Sequence, residues 1–244
     1  MTTSYNLSKK QLPKLLILPG LNNNEFAFNH LKEYFLHAGY DVNFIQLPGQ
    51  GELRSEMDHF NLAFESFKQS MNSHTESPYV IIAFSTGALY YQHWLNENPQ
   101  KMAKAQFLLA PALRVQHQNL VDKFLNILPE KFPLPSRSPK PFQKYPTLSV
   151  KEYQTLFSGL RLLEELKTDF PIPTKIVIDR RDELVDVNHL KKRYANYTRV
   201  LERNCPVKKL GVYHLLFHPD YFENNEWEVL MKEIQDFFST NAEA

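Results

Sequence analysis

The sequence predicts an α/β protein: a mostly parallel sheet of about six strands, with helices on both faces and one long insertion. Three observations carry this prediction. Short apolar runs alternate with longer amphipathic stretches. The runs are apolar at almost every position, as strands buried on both faces are, rather than at every second one. A single proline-rich region breaks the alternation.

In chain order, the apolar run at 14–18 reads as the first strand and leads into a glycine-containing loop, Pro19-Gly20-Leu21-Asn22-Asn23-Asn24. Helical periodicity follows over 25–37, then a strand at 42–47 and a helix over 62–71. Strands at 79–83 and 105–109 flank a helix over 88–96. From Pro111 to about Pro146 the chain is rich in proline (Pro129, Pro133, Pro135, Pro139, Pro141) around an apolar helical piece at 120–128. That is too long for an ordinary connection, and the apolar surface of Val121, Phe124, Leu125, Ile127 and Leu128 suits a lid; the alternative is a helical cap that completes the core. A strand at 175–178, a helix over 187–198, a strand at 207–211 and a helix over 223–238 complete the expectation. The whole reads as one domain over 1–244 with a cap or lid insertion at about 112–165.

Bulk composition excludes several classes of function. With 28 basic and 27 acidic residues the formal net charge is +1, which gives no field for binding nucleic acid. The single cysteine, Cys205, has no internal disulfide partner, and the first ten residues lack the apolar core of a secretory signal; together they suggest a reduced, cytoplasmic setting. No window approaches the ~20 apolar residues that cross a bilayer. The nine histidines show no spacing suited to a metal.

Chemistry enters at Val80-Ile81-Ile82-Ala83-Phe84-Ser85-Thr86-Gly87, where a buried strand stops at a serine and turns into a helix. A nucleophile on a sharp strand-to-helix turn needs small residues two positions before and after it, and Ala83 and Gly87 are small. The competing explanation is a serine that caps the following helix. A serine nucleophile also requires a base, an acid to orient the base, and donors for an oxyanion. Backbone N–H groups of Thr86 and of Leu21, in the loop after the first strand, are the candidate donors.

For the acid, the strand at 175–178 runs into Asp179, Asp182, Glu183 and Asp186. Asp179 continues the strand and Asp186 suits a helix cap, which leaves Asp182 at the loop apex; a solvated charged loop is the alternative for Asp179, Glu183 and Asp186. For the base, His214 follows the last expected strand directly and His218 competes with it, although His218 beside Pro219 reads more naturally as a helix start.

The order Ser85, Asp182, His214 resembles that of the α/β-hydrolase superfamily over nearly the whole chain. His214-Leu215-Leu216-Phe217 ahead of an acidic helix is similar to a segment of its serine aminopeptidase S33, monoacylglycerol lipase and lysophospholipase branch, as is Leu47-Pro48-Gly49-Gln50-Gly51-Glu52 to that branch's loop after the second strand. The insertion after Ala110-Pro111-Ala112-Leu113 falls where the branch carries its cap. The chain departs from the pattern at Pro19, Pro48, Ala83 and Asp179, the last in place of a glycine, and it resembles a short form that begins at the family's third strand.

The resemblance implies a serine hydrolase acting on a small or lipid-like carboxylic ester, with Ser85 as nucleophile, His214 as base, Asp182 as its partner, and no metal or organic cofactor. The same groups would serve a thioester or an amide. The departures would also suit a non-catalytic ligand-binding protein of this fold.

Overall fold

A computed structural model of the chain describes residues 12–47, 60–166, 170–207 and 211–241. In chain order its elements are β1 (Lys14–Leu18), α1 (Asn29–His37), β2 (Asp41–Phe44), α2 (Phe60–Asn72), β3 (Tyr79–Phe84), α3 (Thr86–Glu97) and β4 (Gln106–Leu109). Then come α4 (Gln118–Leu125), β5 (Pro133–Pro135), β6 (Thr147–Ser149), α5 (Val150–Glu165), β7 (Thr174–Asp179), α6 (Val187–Arg193), β8 (Thr198–Leu201) and α7 (Glu226–Asn241). Six strands form one sheet in the order β2-β1-β3-β4-β7-β8, and every neighbouring pair in it is parallel.

Because successive side chains leave a strand on opposite faces, each central strand feeds two cores. Leu16, Leu18, Ile81, Ala83, Leu108 and Ile176 pack with α2, α3, α5 and α6. Leu15, Ile17, Val80, Ile82, Phe107, Leu109 and Val177 pack with α1 and α7 on the other face. β1, β3 and β4 are buried at almost every residue, which is why their sequences are apolar throughout instead of alternating.

The sheet order fixes where a site belongs. From β1 the chain crosses outward to β2, then returns to the other side of β1 to place β3 and the strands that follow. The order therefore reverses at β1 and β3, and the crevice beyond their carboxyl ends is where ligands bind in open α/β sheets. The loop at Gly20 and the turn at Ser85 leave from those two strand ends.

Two regions differ from expectation. The sixth strand is β8, and its first residue, Thr198, falls where the periodicity predicts a helix. The helix stops at Arg193, where Tyr194 leaves helical geometry, and Thr198 turns its hydroxyl back onto the Tyr194 carbonyl at 2.8 Å. The β-branched Thr198 and Val200 then pair with β7. The expected strand at 207–211 includes residues 208–210, which lie outside the described residues; Gly211 is in a turn.

The second difference is α5, a sixteen-residue helix inside the long insertion. Its start carries a reciprocal capping box, with Ser149 Oγ accepting from the Glu152 N–H and the Glu152 carboxylate accepting from the Ser149 N–H. The helix packs against α2 and α3, and at Gly159 a methyl group would meet the Phe60 ring at 2.4 Å, so only glycine fits this crossing.

Candidate active site

Ser85 joins β3 to α3 with φ 51° and ψ −117°, a conformation that costs an L-residue about 1–3 kcal/mol. The surrounding backbone holds it: the Ser85 N–H donates to the Leu109 carbonyl, and the Ser85 carbonyl accepts from Ala88 and Ala112. At Gly87 an added Cβ would lie 2.6 Å from the Leu18 carbonyl oxygen and 2.7 Å from that of Pro19, so the turn can pass this close to β1 only without a side chain. Ser85 makes no side-chain capping bond to α3. Its Oγ instead lies 2.9 Å from Nε2 of His214.

His214 sits on a short helical turn, Val212–His214, and its Nδ1 is 2.8 Å from Oδ2 of Asp182. A neutral imidazole with its proton on Nδ1 donates to Asp182 and leaves Nε2 to accept from the Ser85 hydroxyl. The other carboxylate oxygen of Asp182 accepts from the Leu184 and Val185 N–H groups at 2.9 and 2.8 Å. Asp182 and His214 are 2% and 4% exposed, so the hydrogen bond between them is shielded from water. His218 is brought elsewhere: it packs on Phe142 and His30 and accepts from the Asp220 N–H. Burial lowers its pKa, His30 adds to the effect, and Asp220 opposes it.

The remaining carboxylates of the loop have separate duties. Asp186 caps α6 through the His189 N–H. Glu183 accepts from the Gly211 N–H, and burial pushes its carboxyl above the usual carboxylate range, with the Asp182 charge adding to the rise. Asp179 overturns the solvated-loop alternative, because it is fully buried and pairs with the equally buried Arg203 at 2.9 Å. The Arg203 guanidinium also donates to the carbonyls of Tyr213, Leu215 and Tyr221 at 2.6, 3.2 and 3.0 Å, so the ion pair grips the segment on both sides of His214. Nothing in the sequence near Arg203 marks it, since its partners come from a strand end and two later turns.

At the Gly20 loop the Leu21 N–H donates to the hydroxyl of Thr86 at 2.7 Å. The three asparagines that follow act as fasteners. Asn22, with φ 61°, exchanges hydrogen bonds with the backbone of Tyr145 and donates to Ser136 Oγ. Asn23 donates to Ser138 Oγ, and Asn24 caps the next turn through the Ala27 N–H while donating to the Pro141 carbonyl. The start of the insertion holds the acid loop: Gln116 donates to the Asp182 carbonyl from its side chain and to the Leu184 carbonyl from its backbone, and the Arg114 carbonyl accepts from Asp186.

Between the insertion and the sheet lies a cavity of about 510 Å³. Ser85, Thr86 and His214 line it, together with Val121, Phe124 and Leu125 of α4 and Tyr153, Leu156 and Phe157 of α5. A larger polar groove of about 830 Å³ along Arg180, Asp186, Lys191 and Glu202 reaches none of Ser85, Asp182 or His214. Among the described residues no helix is long and apolar enough to cross a membrane. The motif at Leu47-Pro48-Gly49-Gln50-Gly51-Glu52 falls, from Pro48 on, outside the described residues.

The family model described as "Serine aminopeptidase, S33" matches residues 10–225. The chain belongs to the serine aminopeptidase S33 family. Its fold is the α/β-hydrolase fold of lipases and esterases. A structure from work on the metagenome-derived lipolytic enzymes LipS and LipT superposes with a TM-score of 0.71 at 18% identity, covering 94% of this chain and 96% of that one. The monoacylglycerol lipase of Paleococcus ferrophilus gives 0.69 at 15% identity with the same coverage. A soluble variant of the monoglyceride lipase of Saccharomyces cerevisiae, in complex with a substrate analogue, gives 0.74 at 10% identity, covering 96% and 88%. No curated protein matches the sequence. Within this S33 chain, Asp179, which departs from the glycine that the resemblance implies, is the residue that recruits Arg203 to the histidine segment.

Proposed function

We propose that the protein is a serine hydrolase that cleaves a carboxylic ester of an apolar acid through an acyl-enzyme. One observation carries this reading: Ser85 Oγ, His214 and Asp182 stand in series at 2.9 and 2.8 Å at the floor of an apolar cavity. Ser85 attacks the ester carbonyl as His214 Nε2 takes its proton, and Asp182 holds the Nδ1 tautomer and stabilises the imidazolium. His214 returns the proton to the leaving alcohol. A water then gives a proton to the same nitrogen and attacks the acyl-enzyme, and His214 passes that proton to Ser85 Oγ as it leaves. The Thr86 N–H, which meets no acceptor among the described residues, receives the oxyanion together with the Leu21 side of the hole.

The cavity walls favour an acyl chain over a charged acid, and the lipolytic relatives point the same way. The Ser85→Ala variant is expected to lose about 10⁴-fold or more in p-nitrophenyl ester turnover, because members of such a unit act together. Across a series of acyl lengths kcat/KM should rise by up to about fourfold per methylene, from ~0.8 kcal/mol each, until the cavity is filled. Acyl-CoA and aminoacyl amides tested alongside separate thioester and amide hydrolysis from ester hydrolysis. A folded wild type that takes no fluorophosphonate at Ser85 would mean a ligand-binding protein instead.

A further inference from the structure

The Leu21 amide, which the fold would aim at an oxyanion, is already committed: it donates to Thr86 Oγ1 at 2.7 Å. Thr86 is 2% exposed, follows Ser85 directly, and lines the cavity with it. A hydroxyl that accepts one hydrogen bond still has its own proton to give, and that proton meets no acceptor among the described residues. Thr86 thus holds two open donors beside the nucleophile, its backbone N–H and its hydroxyl.

Building on the reaction proposed above, we infer that the Thr86 hydroxyl is itself a catalytic oxyanion donor, with the Leu21 amide acting through it rather than on the substrate. Attack by Ser85 moves negative charge onto the former carbonyl oxygen, which accepts from Thr86 N–H and Thr86 Oγ–H. No proton is transferred in this contact. The Leu21 N–H fixes the hydroxyl rotor and polarises the O–H bond, since chained hydrogen bonds strengthen one another. A hydroxyl already oriented needs no reorganisation as the charge develops, which is the property that makes such donors effective.

The test is Thr86→Val, which keeps the branched shape and the backbone N–H but deletes the hydroxyl, compared with Thr86→Ser, which restores it. Thr86→Val should lower kcat by about 10²–10³-fold with KM within about threefold, and weaken an alkylboronic acid, whose serine adduct carries the tetrahedral oxygen, by a similar factor. Thr86→Ser should stay within about threefold of wild type, and Thr86→Ala should match Thr86→Val, so a Val variant that folds poorly does not obscure the result. An unchanged or faster Thr86→Val would mean that the freed Leu21 amide serves the oxyanion directly, and would overturn the inference. A Thr86→Ser variant as impaired as Thr86→Val would overturn it too. A wild type that neither turns over esters nor takes the fluorophosphonate overturns both this and the parent reading; an active wild type with an unaffected Thr86→Val overturns this one alone.

Discussion

Ser85, His214 and Asp182 each owe their position to the backbone and packing around them. Ser85 occupies a strained conformation held by three backbone hydrogen bonds, and it passes close to β1 because Gly87 has no side chain. His214 and His218 are four positions apart, yet only His214 reaches Ser85, because the ring of His218 is taken up by Phe142 and His30. His218→Gln should therefore keep ester turnover within about threefold, whereas His214→Gln should lose about 10⁴-fold, measured on the same substrate. Ser85 stands out in the sequence as a candidate because its small neighbours and the later Asp182 and His214 fall in a recognisable order. Arg203 does not, because a buried cation is identified by partners that the chain supplies from Asp179 and from residues 213–221.

At the scale of elements, the insertion works as a brace. Its start, Arg114 to Gln116, ties down the loop that carries Asp182, and its middle, Ser136 to Tyr145, ties down the loop that carries Leu21. The exposed apolar residues of α4, Leu120 and Phe124, stand outside both attachments. On the sheet side the Asp179–Arg203 pair does the equivalent for the histidine segment. Arg203→Met leaves the Asp179 carboxylate buried without its partner, so the loss should be about 3–5 kcal/mol of stability by chemical unfolding; Asp179→Asn combined with Arg203→Met should recover part of it. The central strands β1, β3, β4 and β7 were legible from their uninterrupted apolar runs. The edge strand β8 was not, since its mixed polarity also fits one face of a helix. α5 was hidden because prolines dominate the pattern of the cap region, although Ser149 and Glu152 spell a helix start.

For the molecule as a whole, acidity acts through groups that change charge between the folded and unfolded chain. The carboxyl of Glu183 faces Asp182 and the backbone N–H of Gly211, and burial raises its pKa. The folded chain therefore binds this proton more tightly than the unfolded one, so its contribution is full below the ordinary glutamate value and is lost as pH rises through the raised one. Glu183→Gln removes that loss while keeping an acceptor for Gly211. As pH rises from below the ordinary glutamate value through the raised one, its thermal midpoint should gain on that of wild type.

The asparagine fasteners also bear on how the chain is expected to assemble. They join Asn22 to residues 114 and 123 positions away, and a closure of that span is among the slower steps a chain must make. Secondary structure can form before these bonds do, and the loop that carries Leu21 is expected to settle only when they join its bond to Thr86. In refolding, ester turnover should then return after the far-ultraviolet dichroism signal, and Asn22→Ala should widen the interval. The protein would in this way remain chemically silent until the Asn22 contacts have formed, and a half-folded chain would carry a serine, a histidine and an aspartate without the means to use them.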